Sequence, residues 1–259
     1  MRDDAAVLEV REVAKAYGLT VALRGISFEV SAGQIVGLLG PNGAGKSTAM
    51  KAIAGILRPD RGTIRVLGEE LRPGALGLKH RVGYVPESPA LYEFLTGAEY
   101  LDFIADLYGL PPAQRAARIE PFLSALELKG HENSLIAGYS NGMKQKVALT
   151  AALLHRPRLL ILDEALNGLD PRAARIVKDL LHRLVREDGV GVLFSTHVLE
   201  IAQTVCDRVV ILNRGAVVAE GTVGDLVGRV GRPGSGLEEA FLEITGGESL
   251  RDVVSALTR

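Results

Sequence analysis

Gly40-Pro41-Asn42-Gly43-Ala44-Gly45-Lys46-Ser47-Thr48 keeps the spacing Gly-x-x-x-x-Gly-Lys-Ser/Thr, the pattern of a phosphate-binding loop. The apolar run Ile35-Val36-Gly37-Leu38-Leu39 comes just before it and reads as a buried strand; Ala49 to Leu57 follows and is compatible with a helix. Strand, glycine loop and helix in that order are the context the motif requires. Glycines let the backbone curl until its N–H groups point inward at phosphate oxygens. The following helix adds its positive N-terminal end. Lys46 supplies a point charge for the outer phosphates, and the Ser47 hydroxyl suits Mg²⁺. The plainer alternative is a glycine-rich turn with a chance lysine, and the flanking strand and helix weigh against it. The loop specifies a nucleotide and leaves its use open.

Bulk properties narrow that use. The chain has 259 residues, enough for one large domain or a domain with a subdomain, and its 47% hydrophobic content supports a substantial core. A net charge of -1 argues against a broad nucleic-acid footprint. The single cysteine, Cys206, excludes an internal disulfide, fits a reducing compartment and reads as a small core residue. No apolar run approaches the ~18 residues needed to span a bilayer. Met1-Arg2-Asp3-Asp4 lacks the apolar segment of a signal peptide. A soluble, cytoplasmic chain is expected, with any membrane role reached through a partner.

The pattern along the chain predicts an α/β fold. Val7 to Ala14 and Ile26 to Val30 read as strands, and Gly62 to Gly68 as a short one bounded by glycines, so antiparallel strands mix with the nucleotide core in the opening third. Arg81 to Val85 is a strand ending at Pro86-Glu87. Thr96 to Leu128 is helical, broken at Pro111-Pro112, and Asn141 to His155 is a further helix with Ser140 as its N-cap. Together they suggest a helical subdomain over about 90–155. Leu159 to Leu162 and Gly191 to Thr196 read as buried strands, with a helix from Pro171 to about Arg186 and a short one from Val198 to Val205. Arg208 to Glu220 looks like a hairpin turning at Asn213-Arg214-Gly215, and the remainder as helix around an interruption at Gly228 to Gly236. Strands alternating with helices imply a mostly parallel sheet, with nucleotide at the carboxyl ends of the strands.

Two further stretches carry chemistry. Leu159-Leu160-Ile161-Leu162-Asp163-Glu164 buries four residues and delivers two acids at a strand tip. Asp163 is placed to hold Mg²⁺, and Glu164 points differently and can polarise an attacking water. An ordinary acidic strand end is the alternative; the phosphate loop upstream makes the chemical reading stronger. Tyr139-Ser140-Asn141-Gly142-Met143-Lys144-Gln145-Lys146 offers a serine cap, a glycine and an exposed helix start, hence a second anion site. A capped surface helix is its alternative.

With these three in order, residues 7–222 resemble the nucleotide-binding subunit of an ATP-binding cassette (ABC) transporter. Tyr139 to Met143 resembles the family signature Leu-Ser-Gly-Gly-Gln. Asn167-Gly168-Leu169-Asp170 resembles the D-loop, Ser195-Thr196-His197 carries the switch histidine, and Tyr17 sits where the family stacks an aromatic on adenine. The resemblance implies a P-loop NTPase core, ATP and Mg²⁺ as ligands, and a head-to-tail dimer of cassettes. There Ser140, Asn141, Gly142 and Met143 of one chain would contact the γ-phosphate held by Gly40 to Thr48 of the other. It implies Glu164 as general base, His197 on the γ-phosphate, Asp170 coupling the two sites, and metal contacts from Ser47, Asp163 and Glu87. It divides the chain into a 1–230 ATPase domain and a 231–259 C-terminal helical extension.

Three departures from the family pattern stand out. Glu87 replaces the glutamine common after the lid strand, Asn141 and Met143 replace a glycine and a glutamine of the signature, and Glu164-Ala165-Leu166 replaces Glu-Pro-Thr. The first two, with Leu91-Tyr92-Glu93-Phe94-Leu95-Thr96-Gly97 and Leu237 to Glu243, look like cassettes of multidrug-type exporters whose permease is a separate chain. The resemblance thus implies a peripheral subunit on the cytoplasmic face of the cell membrane, meeting a permease through residues 87–110. No nucleic-acid partner is expected. A soluble cassette ATPase without a permease is the alternative; such proteins usually carry two cassettes or coiled-coil insertions, and neither is visible here.

Overall fold

A computed structural model of the chain describes residues 5–230 and 236–246. Its centre is a six-stranded sheet of order β10-β9-β3-β8-β7-β6. The members are β3 (Ile35–Leu39), β6 (Val82–Val85), β7 (Leu159–Asp163), β8 (Gly191–Ser195), β9 (Arg208–Asn213) and β10 (Ala216–Thr222). Five of these strands are mutually parallel, and β10 joins antiparallel through the expected hairpin. Strands β3, β7 and β8 are buried at every position. The reason is packing on both faces: Leu159 and Ile161 belong to one core, with Val36, Leu38 and Leu193, while Leu160 and Leu162 belong to another, with Val192 and Phe194. A strand covered on both sides has no polar face, so its sequence shows a continuous apolar run.

The first core is closed by helix α1 (Lys46–Ile53) and by a four-stranded antiparallel sheet of order β2-β1-β4-β5. Its strands are β1 (Ala6–Tyr17), β2 (Thr20–Ser31), β4 (Arg61–Val66) and β5 (Glu69–Glu70). Strands β1 and β2 are each 12 residues long, well beyond the segments their alternation marks. Register shifts at Val10/Val13 and Lys15/Ala16 break the period-two pattern, while cross-strand pairing continues to Tyr17 opposite Thr20. Short helix α2 (Leu76–Lys79) leads into β6.

The second core is covered by α5 (Asn141–Leu153) and α6 (Pro171–Asp188). Between β6 and β7 the chain forms α3 (Gly97–Leu107), α4 (Pro112–Ala125), a 3₁₀ turn at Ile136–Gly138 and α5. Helix α3 opens on a capping box in which Glu99 N–H bonds Thr96 Oγ1 at 3.2 Å and Thr96 N–H bonds Glu99 Oε2 at 2.8 Å. Helix α4 starts with Pro112 in its first turn, where a missing N–H costs nothing. Helices α3 to α5 share a third apolar cluster around Leu101, Leu128, Ile136 and Val147.

After α7 (Leu199–Val205), α8 (Val223–Val230) runs on through Gly228, past the expected start of the interruption. Residues 231–235 of that interruption lie outside the described residues, and α9 (Leu237–Thr245) follows. Leu237 and Ala240 are buried, and Leu237 packs with Leu39, Val209, Ile211 and Leu226 in a fourth cluster. No helix among the described residues is long and apolar enough to cross a membrane.

Candidate active site

The phosphate loop leaves the buried end of β3 and enters α1. Gly43 and Gly45 have φ of 78° and 107°, conformations that side-chain-bearing residues rarely adopt. At Gly45 a Cβ would lie 2.5 Å from the carbonyl oxygen of Ala22 and 2.9 Å from Leu23 Cδ2, so strand β2 backs the loop too closely for a side chain. The β9–β10 turn supports it as well, with Gly215 N–H bonding the Ala44 carbonyl at 3.0 Å. Helix α1 has no side-chain cap and no acid in its first turn, so its leading N–H groups remain available. Lys46 is buried, and its Nζ donates to the loop carbonyls of Gly40 (2.8 Å) and Pro41 (3.4 Å). Ser47 is half-buried beside it and Thr48 follows in the first turn.

Two strands away, β7 delivers the acids. Asp163 is 2% exposed. Burial pushes its carboxyl above the ordinary range, and the nearby Glu164 charge adds to this; the Ser195 hydroxyl and the charges of Lys51 and Lys46 oppose it. Ser195 Oγ donates to Asp163 Oδ1 at 2.7 Å. Glu164 has a φ of 50°, which for a non-glycine residue costs ~1–3 kcal/mol and turns its side chain away from that of Asp163. Its Oε2 lies 2.5 Å from His197 Nδ1 and accepts from Asn167 Nδ2 at 2.6 Å, while its Oε1 stands 3.9 Å from Lys46 Nζ. The structure therefore brings Lys46, Asp163, Glu164 and His197 into one cluster, as a site built from these residues requires.

The remaining candidates lie around this cluster. Tyr17 ends β1 with its ring about half exposed, and Lys15 Nζ is 5.8 Å from the ring centre. Glu87 is exposed beyond the tip of β6. Burial, with smaller contributions from the Asp163 and Glu87 charges, pushes the Tyr84 phenol up to about 12, so both acids act on this strand. Among the described residues no three His, Cys, Asp or Glu side chains converge as a metal cage. A hydroxyl and one or two carboxylates instead suit a small hard cation that keeps phosphate and water among its ligands.

Ser140 caps α5 by accepting from Met143 N–H at 3.2 Å; Ser140 and Asn141 are exposed, and Gly142 and Met143 half-buried. A Cβ on Gly142 would lie 2.7 Å from the carbonyl oxygen of Gly168, so the signature turn rests directly on the Asn167–Asp170 turn. Asp170 Oδ1 caps α6 at Ala173 N–H (2.8 Å), and its Oδ2 pairs with Lys146 Nζ at 2.8 Å. The Lys146 hydrogen bond and the Ala173 N–H hold this carboxyl below its ordinary range. Asp170 is thus a helix cap as well as a candidate for coupling. The residues that hold the site together were not legible in advance. Gln145 is buried and donates to the carbonyls of Ala165 (3.2 Å) and Pro86 (3.4 Å), joining the turn after Glu164 to the loop of Glu87. Asn167 and Ser195 grip Glu164 and Asp163. Their positions were marked, by a glutamine on the buried stretch of α5, a serine closing an apolar strand, and the stretches of Asn167 and Ser195 that resemble family motifs, but their roles were not.

A glycine-walled phosphate cradle at the end of a central parallel strand, with two acids at the tip of a nearby strand, defines a P-loop NTPase. Residues 23–167 match the ABC transporter family model. The chain belongs to that family, as an ATP-binding subunit of ABC transporters. It is 37% identical to the ABC-type transporter ATP-binding protein EcsA of Bacillus subtilis (strain 168), covering 93% of this chain and 97% of that protein. It is 36% identical to the bacitracin transport ATP-binding protein BcrA of Enterococcus faecalis, over 85% of this chain and 70% of that one. Among solved structures, an ATP-binding subunit of an ABC transporter superposes with a TM-score of 0.86 at 39% identity, covering 92% of this chain and 99% of the other. A dimeric post-hydrolysis state of the cassette MJ0796 bound to ADP and Pi superposes with a TM-score of 0.77 at 25% identity, covering 83% and 98%.

Proposed function

We propose that this chain hydrolyses ATP to drive a separate membrane permease in the direction of export. The observation that carries the hydrolytic part is the convergence of Lys46, Asp163, Glu164 and His197 beside the glycine cradle. The loop, backed by β2 too closely for a side chain at Gly45 and followed by the uncapped start of α1, fits a chain of phosphates. Ser47 and Asp163, with Glu87 at the rim, fit Mg²⁺, which when bound would neutralise charge on the outer phosphates. On binding ATP, Lys46 exchanges two loop carbonyls for phosphate oxygens. Glu164 Oε2 is already committed to His197 and Asn167, so Oε1 is the oxygen that takes the proton of the attacking water. His197, tethered by Glu164 and half exposed, faces the transferring phosphate, and the Tyr17 ring receives the adenine.

The signature turn serves a second copy of the cassette or a related one. Ser140, Asn141 and Gly142 open an exposed helix start that approaches the γ-phosphate of the partner, with Met143 behind them, and Asp170 couples the two sites. ADP lacks that phosphate, so hydrolysis removes the contact that favours the closed dimer. The dimeric, ADP- and Pi-bound state of MJ0796 supports this reading. The permease contact falls on residues 87–110. Tyr92, Phe94, Phe103 and Leu107 are exposed there, Phe94 by 75%, and the ring of Tyr92 meets those of Phe94 and Phe103 at 5.7 Å each. Leu91 and Leu95, in the same stretch, are half-buried, and Leu91 packs against the second and third cores. A bacitracin transport protein and a Nod factor export protein among the relatives support an export direction. Such a subunit sits on the cytoplasmic face of the membrane. Its ATPase domain spans 1–230, with a helical subdomain at about 90–155 and a C-terminal extension from 231.

Glu164→Gln tests the chemistry. It keeps the shape and the acceptor oxygen for His197 but cannot take a proton, so ATP binding should persist while turnover falls by ~100-fold or more. Turnover within a few-fold of the parent would remove Glu164 from the role of base. Co-purification with a multi-span membrane protein tests the permease, and unimpaired transport in a strain lacking this chain would overturn that part.

A further inference from the structure

We propose that Ser195 is a positioning residue that aims both Asp163 and Glu164 from a single buried hydroxyl. The inference rests on the reading of Asp163 as a Mg²⁺ ligand. Ser195 closes β8, the strand between the phosphate-loop strand β3 and the acidic strand β7. It stands opposite Leu38 on one side and Asp163 on the other, and it is completely buried. The rest of the strand, Val192-Leu193-Phe194, is apolar, so nothing in the packing calls for a hydroxyl at its end.

The hydroxyl is used in both directions. Its only proton goes to Asp163 Oδ1 at 2.7 Å, and a lone pair accepts the Glu164 N–H at 3.0 Å. The Ser195 carbonyl shares that same N–H at 3.2 Å. The first bond fixes one carboxylate oxygen of Asp163, on the side of β8, and leaves Oδ2 as the oxygen that Ser195 does not engage. The second bond holds the residue whose backbone leaves the strand at a φ of 50°. That turn is what carries the Glu164 carboxylate to within 3.9 Å of Lys46 and 2.5 Å of His197. A hydrogen bond of this kind behind a metal-ligating carboxylate typically governs metal affinity or activity by about 10- to 100-fold.

The test compares Ser195→Ala and Ser195→Thr in the full chain. Nucleotide affinity is measured in EDTA, which reports an intact cradle without metal. Mn²⁺ affinity of the chain loaded with AMP-PNP is read from the free-ion EPR signal, and kcat and KM for ATP are measured with Mg²⁺. Ser195→Ala is expected to keep the EDTA affinity, to weaken Mn²⁺ by about 10-fold or more and to lower kcat more than it changes KM. Ser195→Thr, which keeps the hydroxyl, is expected to restore Mn²⁺ affinity and kcat. Alanine values within about threefold of the parent would overturn the inference, as would a threonine variant with normal EDTA affinity that is as impaired as alanine. If the alanine chain fails to bind nucleotide in EDTA, Ser195→Cys takes its place under the same thresholds. Asp163→Asn separates the two readings. Loss of Mn²⁺ affinity there but not in Ser195→Ala sinks the inference alone; no loss in either sinks the reading of Asp163 and the inference with it.

Discussion

At the scale of single residues, burial decides chemistry outside the site as well as in it. His155 lies flat on Tyr108, with ring centres 3.9 Å apart and planes 9° from parallel, and its Nε2–H donates to the Val82 carbonyl at 3.1 Å. That bond fixes the tautomer and leaves the Nδ1 lone pair buried with no hydrogen-bond partner among the described residues. Protonating Nδ1 would create a charge with nothing to receive it, so burial lowers the pKa from 6.5 to about 4, with the His80 ring a smaller cause. The sign follows from counting protons. Between about 6.5 and 4 the unfolded chain takes up the proton and the folded chain does not, so acid favours unfolding across that window and stability is full above it. His155→Phe keeps the stack and removes the titration. The thermal midpoint of the parent is expected to fall more steeply than that of the variant from pH 7 to about pH 4.5. Parallel curves would show that His155 titrates as it does in the unfolded chain. Cys206 gives a second case: burial pushes its thiol up to about 12, so iodoacetamide at about pH 8 should label the chain only after unfolding.

Elements are held in place by close backbone approaches and by buried polar side chains that reach across them. The signature end of α5 rests on the Gly168 carbonyl through Gly142, while Lys146 and Gln145 reach from the same helix to Asp170 and to the carbonyls flanking both acidic loops. Gly142→Ala would place a Cβ 2.7 Å from a backbone oxygen, and backbone yields poorly, so a cost of ~1–3 kcal/mol is expected from urea unfolding. Gly138→Ala is the control, because a Cβ there meets nothing within 4 Å. Equal stability of the two variants would mean the turns separate freely. The same elements show why the sequence was legible in part. Strands buried on both faces, Leu159 to Asp163 and Gly191 to Ser195, announce themselves by composition, and Asp170-Pro171 and Thr96 announce helix starts by capping chemistry. The lengths of β1 and β2 were hidden because bulges scramble the alternation that marks a strand. Ser195 was hidden for another reason: its importance depends on which strand lies beside β7, and strand order is a property of tertiary folding that no local pattern carries. The glycine loop and the two acids were readable because their chemistry is built from neighbours in the chain.

On the scale of the whole molecule, the chain carries a phosphate cradle and an exposed, capped helix start that would be redundant in a protein working alone. Side chains at the start of α5 reach elsewhere: Lys144 pairs with Glu93, Lys146 with Asp170, and Gln145 donates to the carbonyls of Pro86 and Ala165, none of them in the phosphate loop. The two ends therefore remain separate within one chain, and the head-to-tail pair proposed above would engage both at once. Net charge does not oppose such a pair, since the chain carries only -1 overall. With Glu164→Gln, Mg²⁺ and ATP, light scattering on a sizing column should show a species of twice the mass, and ADP should return the monomer. Ser140→Glu in the same background would set a carboxylate against the partner's γ-phosphate and should abolish the dimer while each chain still binds ATP. Lys46→Ala should abolish both dimer and binding, including the ~2.7 kcal/mol of stabilisation that a ligand at 100 times its dissociation constant adds. A Glu164→Gln chain that stays monomeric at saturating ATP, yet gains that stabilisation, would show a complete site within one chain. The signature turn would then be a capped surface helix, and ATP would not be the joint between two copies.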